Sequence, residues 1–229
     1  MKIKYIFCIS TGRCGTEYLA SLLGSLSNCN SFHEQKPLFH NEYMRSYLKG
    51  NKEPIKEDIY KKIKLIKHTK ENNIYSDTTH MFIKGFGWEI PNFISQEEIG
   101  IVILKRDKEK VVQSTFRVHS GPFSYLGRKW IITPNRKNIV IPPVNYYAYT
   151  FYRLFLKIFW KLKNETATII KSYPKFFKNK SLLLLRWYYN ETYKLAENYK
   201  ENFPKINYIT VNLVELNTIN GFEKIIKKI

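Results

Sequence analysis

Cysteine is scarce in this sequence, with three residues among 229: Cys8, Cys14 and Cys29. So few cysteines do not form a disulfide framework, and their spacing does not match a zinc site. Long apolar runs are also missing, because no stretch approaches the ~20 residues that a membrane-spanning helix needs. The start MKIKYIFCIS has too short an apolar run for a signal peptide and no small-residue cleavage site. These absences predict a soluble protein in a reducing compartment, with the cytoplasm as the default location.

Acidic residues are outnumbered two to one. The chain has 19 Asp and Glu against 38 Lys and Arg, a formal net charge of +19. This excess favours three classes of partner: nucleic acid, an anionic membrane surface, and anionic small molecules or glycans. A genome rich in A and T would also enrich surface lysine without any selected partner. The hydrophobic content of 44% predicts a substantial core, in a single domain over residues 1–229.

Three apolar runs have the form of buried strands, at residues 4–10, 100–106 and 206–216. The first precedes leucines at helical spacing over residues 19–26. The second precedes DKEKVVQSTFR, which predicts a helix capped by Asp107. Strands that alternate with helices indicate a parallel sheet. The sequence therefore predicts a three-layer α/β fold, with a central parallel sheet flanked by helices.

The middle of the chain is less regular. Residues 52–73 have the pattern of a solvated amphipathic helix, whereas residues 119–144 contain the glycines and prolines of an irregular loop or lid. Residues 145–163 form a densely aromatic helical pattern with interspersed basic residues. A membrane-surface helix fits this pattern. A core or acceptor-pocket helix is favoured, because apolar residues surround nearly the whole helix. We therefore predict an acceptor-side lid or insertion over 119–163.

The first strand leads through STGRCGTEYL into a helix. Such a turn directs backbone N–H groups and a helix N-terminus at one point, which suits a phosphate or sulfate. Gly12 and Gly15 let the backbone close around an anion, and Arg13 adds a positive charge. Walker A and dinucleotide-binding patterns are absent, and the spacing from Cys8 to Arg13 is one residue short for a cysteine phosphatase. An ordinary strand–helix turn remains the alternative.

GRCGTEYL resembles the 5′-phosphosulfate loop of the sulfotransferases that use 3′-phosphoadenosine-5′-phosphosulfate (PAPS). ILKRDKEKVVQSTFR resembles that family's second element, a strand ending in arginine with a serine eight positions later, here Arg106 and Ser114. The resemblance implies a P-loop-like fold, and a 3′-phosphate held by this pair. It also implies a 5′ end held by the residues of the first loop: Thr11, Gly12, Arg13, Cys14, Gly15, Thr16 and Glu17. Cys14 replaces the family's usual serine, and Glu17 stands where serine or threonine is common.

The resemblance also implies the chemistry, the transfer of a sulfuryl group from PAPS to a hydroxyl or amine of a glycan or small molecule. Arg13 would stabilise the leaving phosphate. SFHEQKP resembles a family segment that places a base at Glu34, and DTTHMF resembles one that offers His80; His33 is a third candidate. No metal is required. The alternatives are a nucleotide- or phosphate-binding protein without transfer, and a basic protein that binds nucleic acid or a membrane surface through residues 145–163. No specific nucleic-acid motif is present, and the positive charge favours an anionic acceptor.

Overall fold

The computed structural model describes residues 3–68, 73–124, 126–162 and 175–228, without the side chains of 159–162, 175 and 176. The chain divides into two compact units. The sheet unit comprises Met1–Asp107 and Leu195–Ile229, and the insert unit comprises Lys108–Lys194. Compactness alone does not decide how many parts fold independently, so the single domain over residues 1–229 stays a prediction.

The sheet unit is built on five parallel strands in the order β2-β3-β1-β4-β5. The strands are β1 (Tyr5–Ile9), β2 (Cys29–Phe32), β3 (Ile74–Asp77), β4 (Ile99–Lys105) and β5 (Asn207–Asn212). Ile6 pairs with Ser76 on one side and Gly100 on the other, which fixes β1 at the centre. The α/β class and the central parallel sheet are confirmed.

Helices and 3-10 turns connect these strands. The sheet unit contains α1 (Thr16–Gly24), α2 (Glu42–Leu48), α3 (Lys56–Lys67), α8 (Leu213–Leu216) and α9 (Ile219–Lys228). The insert unit contains α4 (Lys108–Arg117), α5 (Gly127–Trp130) and α6 (Tyr146–Leu162), and α7 (Lys175–Asn202) continues from it into the sheet unit. Short 3-10 turns lie at Glu53–Ile55, Phe82–Lys84, Phe86–Trp88, Ile90–Asn92 and Gln96–Glu98.

The two central strands form the core of the sheet unit. β4 is buried along its apolar residues from Ile99 to Leu104, and β1 is buried from Ile6 to Ile9. Continuous burial of this kind is expected for parallel strands covered on both faces. The strand predictions at 4–10 and 100–106 are therefore confirmed to within a residue or two.

The strand predicted over 206–216 is wrong in its second half. β5 ends at Asn212, and the apolar residues that follow form α8. The Glu215 carboxylate accepts the backbone N–H of Asn212 at 3.4 Å, as in a capping box. A local capping pattern therefore ends the strand although the apolar run continues.

The amphipathic helix predicted over 52–73 forms as α3, over a shorter range, and it is less solvated than predicted. α3 buries a full face, which includes Ile59, Ile63 and Ile66. The same face buries Lys62, whose ammonium donates to Asp77 Oδ2 at 2.5 Å and to the Gln35 carbonyl at 2.6 Å. Residues 69–72 of that prediction lie outside the described residues. α3 is therefore a core helix, held by a buried ion pair.

Hydrogen bonds from side chains hold the irregular segment of the insert unit in place. Residues 119–144 are predicted as a loop, and in their described part, 119–124 and 126–144, the structure contains one short helix, α5. The Glu191 carboxylate on α7 accepts the backbone N–H groups of Ile139 and Val140, at 3.0 and 2.7 Å. Trp187 Nε1 donates to the Val140 carbonyl at 2.8 Å. These backbone groups belong to no helix or strand, and side chains of α7 satisfy them instead.

Candidate functional site

The turn between β1 and α1 has a left-handed backbone. Gly12, Arg13 and Gly15 have φ values of 82°, 57° and 91°. Thr11 Oγ1 donates to the Gly12 carbonyl at 3.0 Å and lies 3.1 Å from Cys14 Sγ, so the Cys14 thiol donates to it. These internal bonds occupy the side chains of Thr11 and Cys14, both buried. Backbone amides and the N-terminus of α1 are what the turn can offer to an anion.

Close neighbours account for both glycines. A Cβ on Gly12 would lie 3.2 Å from Cδ2 of His80, and a Cβ on Gly15 would lie 2.5 Å from Cδ1 of Leu213. Positive φ alone disfavours other residues at these positions. The two glycines therefore let the turn touch the loop after β3 on one side and α8 on the other.

Arg106 lies next to this turn. It directly follows β4, the neighbour of β1, and its Nη1 donates to the Arg13 carbonyl at 2.9 Å. The structure therefore places Arg106 at a strand end and against the loop, as predicted. Ser114 lies on α4, eight positions further along, in the insert unit.

The connections from β1 and β4 leave in opposite directions. β1 continues through α1 to β2 at one edge of the sheet, and β4 is followed along the chain by β5 at the other edge. In open α/β sheets, ligands bind outside the carboxyl ends of the strands where such a reversal occurs. The glycine turn and Arg106 both lie at this point.

Three titratable side chains, each within 3.4 Å of the next, lie against the turn, and we call them the Glu34–His80–Lys84 chain. His80 Nε2 is 3.4 Å from Glu34 Oε1, and His80 Nδ1 is 2.8 Å from Lys84 Nζ. The carboxyl ends of β2 and β3 position Glu34 and His80, and Lys84 ends the 3-10 turn Phe82–Lys84. Lys84 is fully buried, whereas the Glu34 side chain retains 27% exposure. Of the three side chains, Glu34 is therefore the most exposed to solvent and Lys84 is the most deeply buried.

Burial controls the protonation of His80 and Lys84. It lowers the pKa of His80 well below its ordinary value, with further lowering by the charges of Lys84 and His33. Burial also lowers the pKa of Lys84 well below its ordinary value, opposed by Glu34 and Cys14. An ionised carboxylate accepts hydrogen bonds only, so a neutral His80 facing it holds its proton on Nε2. Nδ1 is then an acceptor, and the Lys84 amine donates to it.

His33 is placed differently from the other two candidate bases. Its exposed ring has Nδ1 3.3 Å from Thr78 Oγ1, and that hydroxyl donates to the Thr16 carbonyl at 2.8 Å. Since the Thr78 proton is used in this way, His33 Nδ1 donates to Thr78. The structure therefore brings Glu34 and His80 together, whereas His33 donates to Thr78, whose hydroxyl joins the end of β3 to the start of α1.

Sequence reasoning missed Lys84 and the buried pair of Lys62 and Asp77. Lys84 stands four positions after His80 within HMFIKGFGW, where a lone lysine in an apolar stretch was a usable signal. Asp77 is fully buried at the end of β3, and its Oδ1 accepts the N–H of Thr79 at 3.2 Å. Nothing in the local sequence pairs Asp77 with Lys62. Within the described ranges, no group of three or more His, Cys, Asp or Glu side chains could hold a metal ion.

Substitution of Lys84 by Met is expected to flatten the rise of stability with pH. Because the folded pKa of Lys84 is depressed, the unfolded chain binds one more proton than the folded protein from that pKa up to ~10.4. The free energy of unfolding should then rise by up to ~1.4 kcal/mol per pH unit in the parent, and less in Lys84→Met. Urea unfolding between pH 7 and 10 measures both slopes. Lys205→Met, at an exposed site, should keep the parental slope, and equal slopes in all three proteins would contradict the depressed pKa.

Comparison of the chain with protein-family models, with curated proteins and with solved structures found no match in any of the three.

Proposed function

We propose that this protein is a PAPS-dependent sulfotransferase with a P-loop-like sheet unit. One observation supports the proposal: the glycine turn after the central strand, whose form suits an anion, lies against both Arg106 and the Glu34–His80–Lys84 chain. An anion site and an acid–base group thus meet at the carboxyl edge of a parallel sheet. Group transfer from a phosphosulfate needs these two parts side by side.

The turn suits the 5′ phosphosulfate end of the donor. Backbone amides from Arg13 to Glu17 would bind its oxygens, since the Gly12 N–H donates to the Ser10 hydroxyl at 3.2 Å, and the exposed Arg13 would face the leaving phosphate. The replacement of the family's serine by Cys14 is tolerable, because that side chain is buried and bonded to Thr11. Glu17 is exposed in the first turn of α1, where a negative charge is favourable to the helix dipole.

Sulfuryl transfer would be an in-line displacement. The acceptor oxygen forms a bond to sulfur as the bond from sulfur to the 5′-phosphate oxygen breaks, and the acceptor's proton moves to Glu34. Glu34 is favoured as the base over His80, because the Nε2 proton of His80 is directed at Glu34. His80 would position that carboxylate, with Lys84 behind it. The acceptor, as the resemblance implies, is a hydroxyl or amine of a glycan or small molecule.

Arg106→Ala tests the donor site. It should weaken binding of the product 3′-phosphoadenosine-5′-phosphate (PAP) by ~1.5–3 kcal/mol, because a charge-assisted contact to the 3′-phosphate is lost. Adenosine 5′-phosphosulfate, which lacks that phosphate, should bind parent and mutant with little difference. Isothermal titration with both ligands measures the two losses.

Lys4→Ala is the matched control. Lys4 is an exposed cation just before β1, at the amino end of the strand, whereas the turn and Arg106 follow the carboxyl ends of the strands. It should leave both affinities unchanged. If Arg106→Ala loses affinity equally for PAP and for adenosine 5′-phosphosulfate, Arg106 does not bind the 3′-phosphate, and its role is limited to the hydrogen bond to the Arg13 carbonyl. Absence of PAP binding in the parent, with ATP, NAD or S-adenosylmethionine bound instead, would reject the proposed function.

A further inference from the structure

Five large apolar side chains lie exposed along one side of α6. We call this set the outer face; its members are exposed by 49–67%. They are Tyr147, Phe151, Leu154, Phe155 and Ile158. Their spacing of four, three, one and three residues places them within one helical stripe about 100° wide. Single exposed apolar residues are ordinary, but a contiguous set of this kind marks an interaction surface.

The opposite side of α6 already supplies the contacts that hold the helix in the insert unit. Tyr149 and Leu156 are buried there, and the Tyr149 hydroxyl donates to the Pro122 carbonyl at 2.8 Å. The Tyr149 ring also packs against Phe123, with centroids 5.4 Å apart. Because this side anchors the helix, the fold uses the outer face little: of its five members, the Phe155 ring packs on the buried Phe177, with centroids 6.3 Å apart, and still keeps 49% exposure. This explains why apolar residues nearly surround the helix in sequence.

The insert unit also carries most of the protein's net positive charge. Lys108–Lys194 contains 17 Lys and Arg against three Glu, a net charge of +14, which leaves +5 of the total of +19 for the sheet unit. Two of these cations border the outer face. Lys157 is exposed on α6, and Arg136 Nη2 donates to the Tyr147 hydroxyl at 2.7 Å. Lys and Arg are therefore spread over both units, but the insert unit has only three acidic residues to offset them, so its net charge is the higher of the two.

We propose that the outer face of α6 lies on the surface of an anionic lipid bilayer. Apolar side chains with neighbouring cations are the features of a helix that lies in the headgroup region. Along the described residues, no helix is long and apolar enough to cross a membrane, which fits surface contact. Leu154 and Ile158 offer no ring for a nucleic-acid base to stack on. A second copy of the unit would bring +14 against +14, which opposes self-association.

Vesicle binding tests this proposal. The full chain should sediment with vesicles of phosphatidylcholine containing 30% phosphatidylserine, and more weakly with phosphatidylcholine alone. The double substitution Phe151→Ser, Leu154→Ser should lower the partition coefficient at least ~10-fold, because two apolar side chains no longer leave water. Lys157→Glu is an independent variant, at an exposed position that does not affect the core. It should weaken binding to the anionic vesicles only.

Ile219→Ser is the matched control, since Ile219 is an exposed apolar residue of the sheet unit. It should bind vesicles as the parent does. Equal partitioning of the control and the double variant would overturn the proposal, as would equal binding of the parent to both kinds of vesicle. Binding to a single-stranded RNA oligonucleotide without vesicle binding would reassign the face to nucleic acid. A dimer that the double variant abolishes, again without vesicle binding, would reassign it to self-association.

Discussion

Glu34→Gln is expected to reduce sulfuryl transfer by ~10²–10⁴-fold, with PAP binding retained. Glutamine keeps the size of the side chain and a hydrogen-bond acceptor for His80, but it cannot take the acceptor's proton. The loss should therefore appear in turnover and not in donor affinity. Transfer of ³⁵S from labelled PAPS to a panel of sugar and phenol acceptors measures turnover, and titration with PAP measures affinity.

His80 provides the control that separates a base from a positioning residue. His80→Gln places an amide N–H where Nε2 stands, so it can still orient Glu34, whereas His80→Ala cannot. If Glu34 is the base, His80→Gln should retain much more activity than His80→Ala. Near-parental turnover in Glu34→Gln, with both His80 variants equally inactive, would make His80 the base. Activity in all three variants would point to an acceptor that is already ionised or is an amine, which needs no base.

Lys62→Met is expected to destabilise the protein by ~3–5 kcal/mol, the second large effect. Lys62 and Asp77 are almost completely buried, with Nζ 2.5 Å from Oδ2. Removal of the lysine leaves the Asp77 carboxylate buried without its cation, and the cost of that unpaired charge exceeds the value of the pair itself. Urea unfolding of parent and variant at pH 7 gives the difference directly.

Two further variants make this result specific. Lys61→Met changes the adjacent residue on α3, whose side chain is 58% exposed, and should alter stability by less than ~0.5 kcal/mol. Adding Asp77→Asn to Lys62→Met removes both charges and can keep the bond from the Thr79 N–H, so the double variant should be more stable than Lys62→Met alone. Equal stability of Lys62→Met and Lys61→Met would contradict the buried ion pair.

Apolar runs and turn residues made the centre of the fold predictable. β1 and β4 are buried on both faces, so their sequences are continuously apolar, and the glycines of the intervening turn are required by positive φ. β2 and β3 gave a weaker signal because they are short and partly polar. The Ser76 hydroxyl donates to the Ser31 hydroxyl at 2.7 Å across these two strands. A polar pair inside a sheet cannot be recognised from either strand alone.

The site was predictable where it follows strand ends, and not where it depends on distant partners. Arg106 is the first residue after β4 and Glu34 the second after β2, so motif spacing located both. Lys62 has the sequence context of a surface lysine, and its burial becomes intelligible only with Asp77, which comes from another strand. α6 shows the same limit in another form. Periodicity shows that two sides are apolar, but only the packed structure shows which side is covered.

The place of the insert unit in the chain also has a consequence for synthesis. β4 pairs with β5 over six residues, yet the whole of Lys108–Lys194 is translated between them. Until β5 emerges, β4 keeps an apolar edge with unpaired N–H and C=O groups, which can pair with the same edge of another nascent chain. The length of this connection adds little to the free-energy cost of closing the loop at equilibrium. It does, however, slow the pairing of β4 with β5. The last strand to be made is therefore the one that ends the period of aggregation risk.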